Sequence, residues 1–149
     1  MKINLKLSLD IAAKNIKIKE QDCYYNSTIC LSEVNRLSDV KNGLYVEGII
    51  VDFDLSLFTE HGWIEKDNEI IDVTLVKFWR KGVKVKYYPC FKYTFDEMMV
   101  QLLNSKGRPP FFKNNLESQK DLLKKGMKIH KTYPKLNNLL IHRNYSLLE

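Results

Sequence analysis

Three observations predict an α+β fold, with a helix packed on an antiparallel β-sheet and a basic helical extension at the end of the chain. Residues 23–37 carry apolar and small side chains at helical spacing. Stretches between residues 44 and 88 are rich in β-branched and aromatic residues over strand-like lengths. Positive charge gathers after residue 105.

Residues 2–9 alternate polar and apolar side chains, which predicts a strand and not a secretory leader. A second short strand is expected at 14–19, with Ile11-Ala12-Ala13 as a turn or short helix between them. Cys23, Ser27, Cys30, Val34 and Leu37 then fall on one face of an amphipathic helix, with Asp22 as N-cap and an end near Ser38-Asp39. Asn42-Gly43 signals a turn before a buried strand at 44–53. Glu47 lies within that strand. An acid there marks either a sheet edge or the neighbourhood of a site.

Residues 61–65 and 70–75 predict two paired strands joined by Lys66-Asp67-Asn68-Glu69. A turn centred on Asp67-Asn68 sets position 63 opposite 72, and 61 opposite 74. Alternation then puts His61, Trp63, Asp72 and Thr74 on one face and Ile64, Ile71, Val73 and Leu75 on an apolar core face. A turn at Lys81-Gly82 leads to a strand at 83–88, which Pro89-Cys90 ends. Thr94 caps a helix reaching about Asn104. After a loop at 105–110, Asn115 starts a helix that Gly126 stops. Tyr133-Pro134 breaks the chain again, and residues 136–142 predict a short helix or strand.

The 149 residues suffice for one domain with a real core, and 44% hydrophobic with 28% charged residues is ordinary for a soluble protein. No run of eighteen apolar residues is present, so no membrane-spanning helix is expected. Three cysteines without a framework spacing suggest a reducing, cytoplasmic setting. No phosphate-binding glycine loop, metal-ligand spacing or repeat is visible; His130 and His142 lie far apart, and neither a metal nor a cofactor is expected. Residues 106–149 hold ten Lys or Arg against three Asp or Glu, a net of +7, whereas residues 1–105 hold fourteen against fifteen, a net of −1. One domain is expected, with 1–105 as its core and 106–149 as a basic appendage.

Cys23, His61 and Asp72 form the candidate catalytic set. The first helical turn offers Cys23 free N–H groups and the positive end of the helix dipole, which favour a thiolate. His61 and Asp72 are diagonal neighbours in the predicted register, so the carboxylate can hold one ring nitrogen and leave the other for the thiol. Cys30 and Cys90 read as inert small hydrophobes. An oxyanion needs N–H donors. The Cys23 backbone is one candidate, with Gln21 and Asn26 as alternative side-chain amides. Trp63 is placed either to shelter the site from water or as packing.

The segments Cys23-Tyr24-Tyr25-Asn26, Leu44-Tyr45-Val46-Glu47-Gly48, His61-Gly62-Trp63 and Ile71-Asp72-Val73-Thr74 resemble a pattern found in many bacterial and phage proteins. Those proteins resemble the papain-like and transglutaminase-like cysteine enzymes. The resemblance spans about residues 20 to 99. It implies a papain-like core, Cys23 as nucleophile, His61 as base and Asp72 as the orienting acid. Gly62 stands where the pattern has Ala, a change expected to be harmless. Val73 stands where it has Pro, which is expected to relax the strand after the acid.

The expected function is cysteine-dependent acyl transfer on a protein or peptide substrate: hydrolysis, deamidation or transfer to an amine. The alternative is a non-catalytic module in which residues 106–149 grip nucleic acid or an acidic protein, with Phe111, Phe112, Tyr133 and Tyr145 among the lysines.

Overall fold

The computed structural model describes residues 1–14, 17–37, 42–78 and 84–138. The fold is α+β: one mixed sheet with helices packed on it. The chain runs β1 (Lys2–Ile3), α1 (Leu5–Ala13), α2 (Cys23–Leu37), β2 (Leu44–Asp52), β3 (Leu57–Lys66), β4 (Glu69–Ile71), α3 (Val73–Phe78), β5 (Val85–Tyr93) and α4 (Phe95–Asn104). A 3-10 turn (Phe111–Asn114), α5 (Leu116–Thr132) and β6 (Asn137–Asn138) complete it.

The strand order is β1-β4-β3-β2-β5, with β6 also on β3. The β2, β3, β4 and β5 ladders are antiparallel, but β1 on β4 and β6 on β3 are parallel, so the sheet is mixed where an antiparallel one was expected. β4 pairs with β3 only from Ile64 to Lys66, and β6 pairs only with Leu57 and Phe58. Among the described residues, β3 therefore has no strand neighbour on that side around His61. The candidate site occupies this gap.

Two helices replace predicted strands. The alternation at the N-terminus also places Leu7 and Ile11 one helical turn apart. The Asn4 side chain accepts from the Leu7 N–H at 2.9 Å, which settles the segment as α1. No strand forms in the described part of 14–19. The pairing of Ile64 with Ile71 and Glu65 with Ile70 is the expected hairpin register, but β4 stops at Ile71. Asp72 then caps α3, its Oδ1 accepting from the Leu75 N–H at 2.9 Å. This cap overrides the β-propensity of Val73 and Thr74. Val73 is the first residue of α3, a position that suits proline, so no strand follows the acid to be relaxed.

β5 continues through Pro89, where an 83–88 strand ending there was predicted. Gly48 pairs with Pro89 and Glu47 with Phe91, leaving Cys90 as the extra residue of a bulge. β5 lies at the sheet edge, where proline is tolerated. α5 likewise runs through Gly126, which is buried. The Ser38-Asp39 helix end, the Lys81-Gly82 turn and residues 139–142 lie outside the described residues.

The described residues after 105 pack into the core. Phe111, Phe112, Leu122 and Ile129 join the same core cluster as Cys30, Leu31, Tyr45 and Ile64. Glu47 anchors them. This acid lies on central β2, not at an edge, and is fully buried. Its carboxylate accepts from the N–H groups of Phe111 (2.6 Å) and Phe112 (3.0 Å) and from the Tyr45 hydroxyl (2.9 Å). Burial pushes its carboxyl up, against these three lowering hydrogen bonds.

Candidate active site

Cys23 opens α2 and is partly exposed. The first intrahelical bond runs from the Asn26 N–H to the Asp22 carbonyl at 2.9 Å, which makes Asp22 the N-cap residue. The chain enters through Gln21, whose φ of 59° is left-handed. The helix is set directly on β3. A Cβ at Gly62 would lie 2.7 Å from Tyr24 Cδ1 and 3.1 Å from Tyr24 Cα. The Ser27 hydroxyl bridges the carbonyls of Cys23 (2.7 Å) and Gly62 (2.9 Å). The absence of a side chain at 62 thus brings the first turn of α2 against the strand beside His61, and the expected harmlessness of an Ala-to-Gly exchange misses this contact.

His61 and Asp72 are both buried, with His61 Nε2 2.7 Å from Asp72 Oδ2. Burial alone pushes the imidazole down. The Asp72 charge, then that of Cys23, and hydrogen bonds to both outweigh it, and the His61 pKa stands well above its ordinary value. With Nε2 on Asp72, Nδ1 is the remaining ring nitrogen. Cys23, His61 and Asp72 are brought together, with the thiol and the carboxylate each hydrogen-bonded to the imidazole.

Asp72 is held on every side. Oδ2 accepts from His61 and from the Tyr87 hydroxyl at 2.9 Å, Oδ1 from the Leu75 N–H, and its own N–H donates to Ser8 Oγ at 3.1 Å. Tyr87 and Ser8 come from β5 and α1, and nothing in their local sequence marks them.

The other predicted residues have separate places. Asn26 has no donor left for an oxyanion: Nδ2 donates to the Lys19 carbonyl (2.7 Å) and to Thr74 Oγ1 (2.9 Å), and Oδ1 accepts from the Lys19 N–H (2.9 Å). Its work is a strut between α2 and α3, the helices that begin at Cys23 and just after Asp72. Thr74 is therefore turned to Asn26, not set opposite His61 on a strand. Gln21 is exposed, one residue ahead of the N-cap. Trp63 is fully buried and stacks on His61, ring centroids 6.4 Å apart at 17°. Its indole N–H reaches Glu65 Oε1 at 3.4 Å, and Glu65 pairs with Lys92.

The remaining cysteines differ. Burial pushes the Cys30 thiol up to about 12 and the Cys90 thiol up to about 11. Among the described residues, no group of three or more His, Cys, Asp or Glu side chains could hold a metal, and no helix is long and apolar enough to cross a membrane. Phe111 and Phe112 are packed against Tyr45, Tyr24 and Tyr93, so their rings are not open to stack on bases. Tyr145 and His142 lie outside the described residues. Lys120, Lys124, Lys128 and Lys131 form an exposed row on α5. Family models, characterised proteins and solved structures were all searched, and none matches this chain.

Proposed function

We propose that this protein is a cysteine-dependent acyl-transfer enzyme of papain-like or transglutaminase-like design. The observation that carries the reading is the buried 2.7 Å pair of His61 and Asp72 beside a thiol at the start of a helix. An imidazole whose pKa is raised by both neighbours is poised to pair with a thiolate and to act as a proton donor.

In the first half-reaction, the Cys23 sulfur bonds to the carbonyl carbon of an amide. The C–N bond breaks, and the His61 proton passes to the departing nitrogen. In the second, water or an amine attacks the thioester and gives its proton to His61, and the thiolate leaves. Asp72 keeps Nε2 occupied throughout and fixes the tautomer. The first-turn amides of α2, which a helix leaves without intrahelical partners, are the oxyanion donors in this reading.

Intact-protein mass spectrometry after exposure to peptide thioesters, activated acyl donors for this half-reaction, tests the proposal. A covalent acyl adduct on Cys23 is expected, absent in Cys23→Ala and slowed in His61→Ala. Adducts spread over Cys23, Cys30 and Cys90 alike would refute it.

A further inference from the structure

We propose that Tyr87 is a positioning residue of this site, reaching from the far side of the sheet to hold the Asp72 carboxylate; the inference rests on the Cys23–His61–Asp72 reading. Three observations carry it.

The first is the bond itself. Tyr87 donates to Oδ2, the same oxygen that holds His61 Nε2. Oδ1 is fixed by the Leu75 N–H. Both carboxylate oxygens are thereby pinned, and the plane offered to the imidazole is set. Burial, then the Asp72 charge, raises the Tyr87 pKa well above its ordinary value, so the phenol stays a neutral donor.

The second is the distance in the fold. Tyr87 pairs with Ile50 on β2, and β2 in turn separates β5 from β3. The phenol reaches across the face of β2 and β3, the two strands between β5 and β4, to an acid that follows β4. A tyrosine that only filled space on this face would not need its hydroxyl on a buried carboxylate.

The third is the wall that steers it. Trp63 meets Tyr87 edge to face at 5.1 Å and stacks on His61 at 6.4 Å. His61, Asp72, Tyr87 and Trp63 thus form a closed ring of contacts. The indole has room because Gly48 lies opposite His61: a Cβ there would come within 2.7 Å of Trp63 Cη2 and 2.3 Å of the Tyr88 carbonyl oxygen.

The test is Tyr87→Phe in the full chain, which keeps the ring and removes only the hydroxyl. Iodoacetamide labelling of Cys23 is measured at pH 5.5 and at pH 9.5, together with the thermal melt and the His61 imidazole titration by NMR. Labelling at pH 9.5 reports access to a free thiolate. The ratio of the two rates reports the Cys–His pair. The ratio is expected to fall about tenfold, the size of one hydrogen bond to a charged group. Labelling at pH 9.5 is expected to be unchanged, and the His61 midpoint to move. A wild-type ratio with an unmoved His61 midpoint overturns the Tyr87 proposal and leaves the triad standing. Equal loss at both pH values assigns Tyr87 a purely structural role and also overturns it. A wild-type ratio already insensitive to His61→Ala removes the triad and this inference with it.

Discussion

His61 sits between Asp72 and Cys23, both of which raise its pKa, and this makes its protonation a stability term. Its pKa in the fold is above the unfolded value. The contribution is therefore complete below about pH 6.5, the unfolded histidine value, and is lost as pH rises through the raised one. Asp72→Asn leaves His61 without its charge partner. We expect a cost of about 3–5 kcal/mol near pH 6, as for other broken buried pairs, shrinking at alkaline pH. Denaturant melts of both proteins across that range check it; a pH-independent difference would contradict the assignment. The same variant should lose acylation by about 10³-fold or more, since the tautomer is no longer held. Cys23, His61 and Asp72 were legible in the sequence because each carries a local signal: a helix start, a strand alternation, a turn-defined register. Tyr87 and Ser8 carry none. They meet Asp72 only through the closed sheet and through α1.

The elements that position these residues turn on short contacts of backbone and small side chains. Gly62 is the tightest. An added methyl presses on the Tyr24 ring and its Cα. Gly62→Ala is expected to destabilise the fold by about 1–3 kcal/mol, the usual cost of overpacking. It should also slow Cys23 labelling by shifting the first turn of α2. A melt and a labelling rate like those of the wild type would show that α2 is not seated on β3 in this way. The hairpin register was readable from its turn, but the lengths of its strands were not. Asn4 and Asp72 each cap a helix with a side-chain oxygen, and a single such bond outweighs the alternation that made α1 and α3 look like strands. The Asn26–Thr74 strut joins two of the sequence motifs at 2.9 Å, although each motif alone reads as a candidate site and not as a clasp.

Over the whole molecule, charge misled where burial decides. The surplus of +7 after residue 105 reads as an appendage. Yet Lys120, Lys124, Lys128 and Lys131 occupy the outer face of α5, while Leu122, Leu123 and Ile129 enter the core and Glu47 ties down Phe111 and Phe112. Periodicity within α5 contained this information, but Gly126 interrupts it for a reader of sequence. Deleting residues 106–149 is therefore expected to unfold the protein and not merely to remove a basic tail. Five buried side chains at about 1.5–3 kcal/mol each are comparable to the typical net stability of a domain, about 5–15 kcal/mol. A cooperative melt of residues 1–105 alone would contradict this.

The central claim is that Cys23 and His61 form a working pair. The rate of iodoacetamide alkylation at Cys23 from pH 4 to 9, read by mass spectrometry in wild type and His61→Ala, tests it most directly. Fast labelling at acidic and neutral pH that collapses in His61→Ala is the predicted result. A single ordinary thiol titration, the same in both proteins, would contradict it.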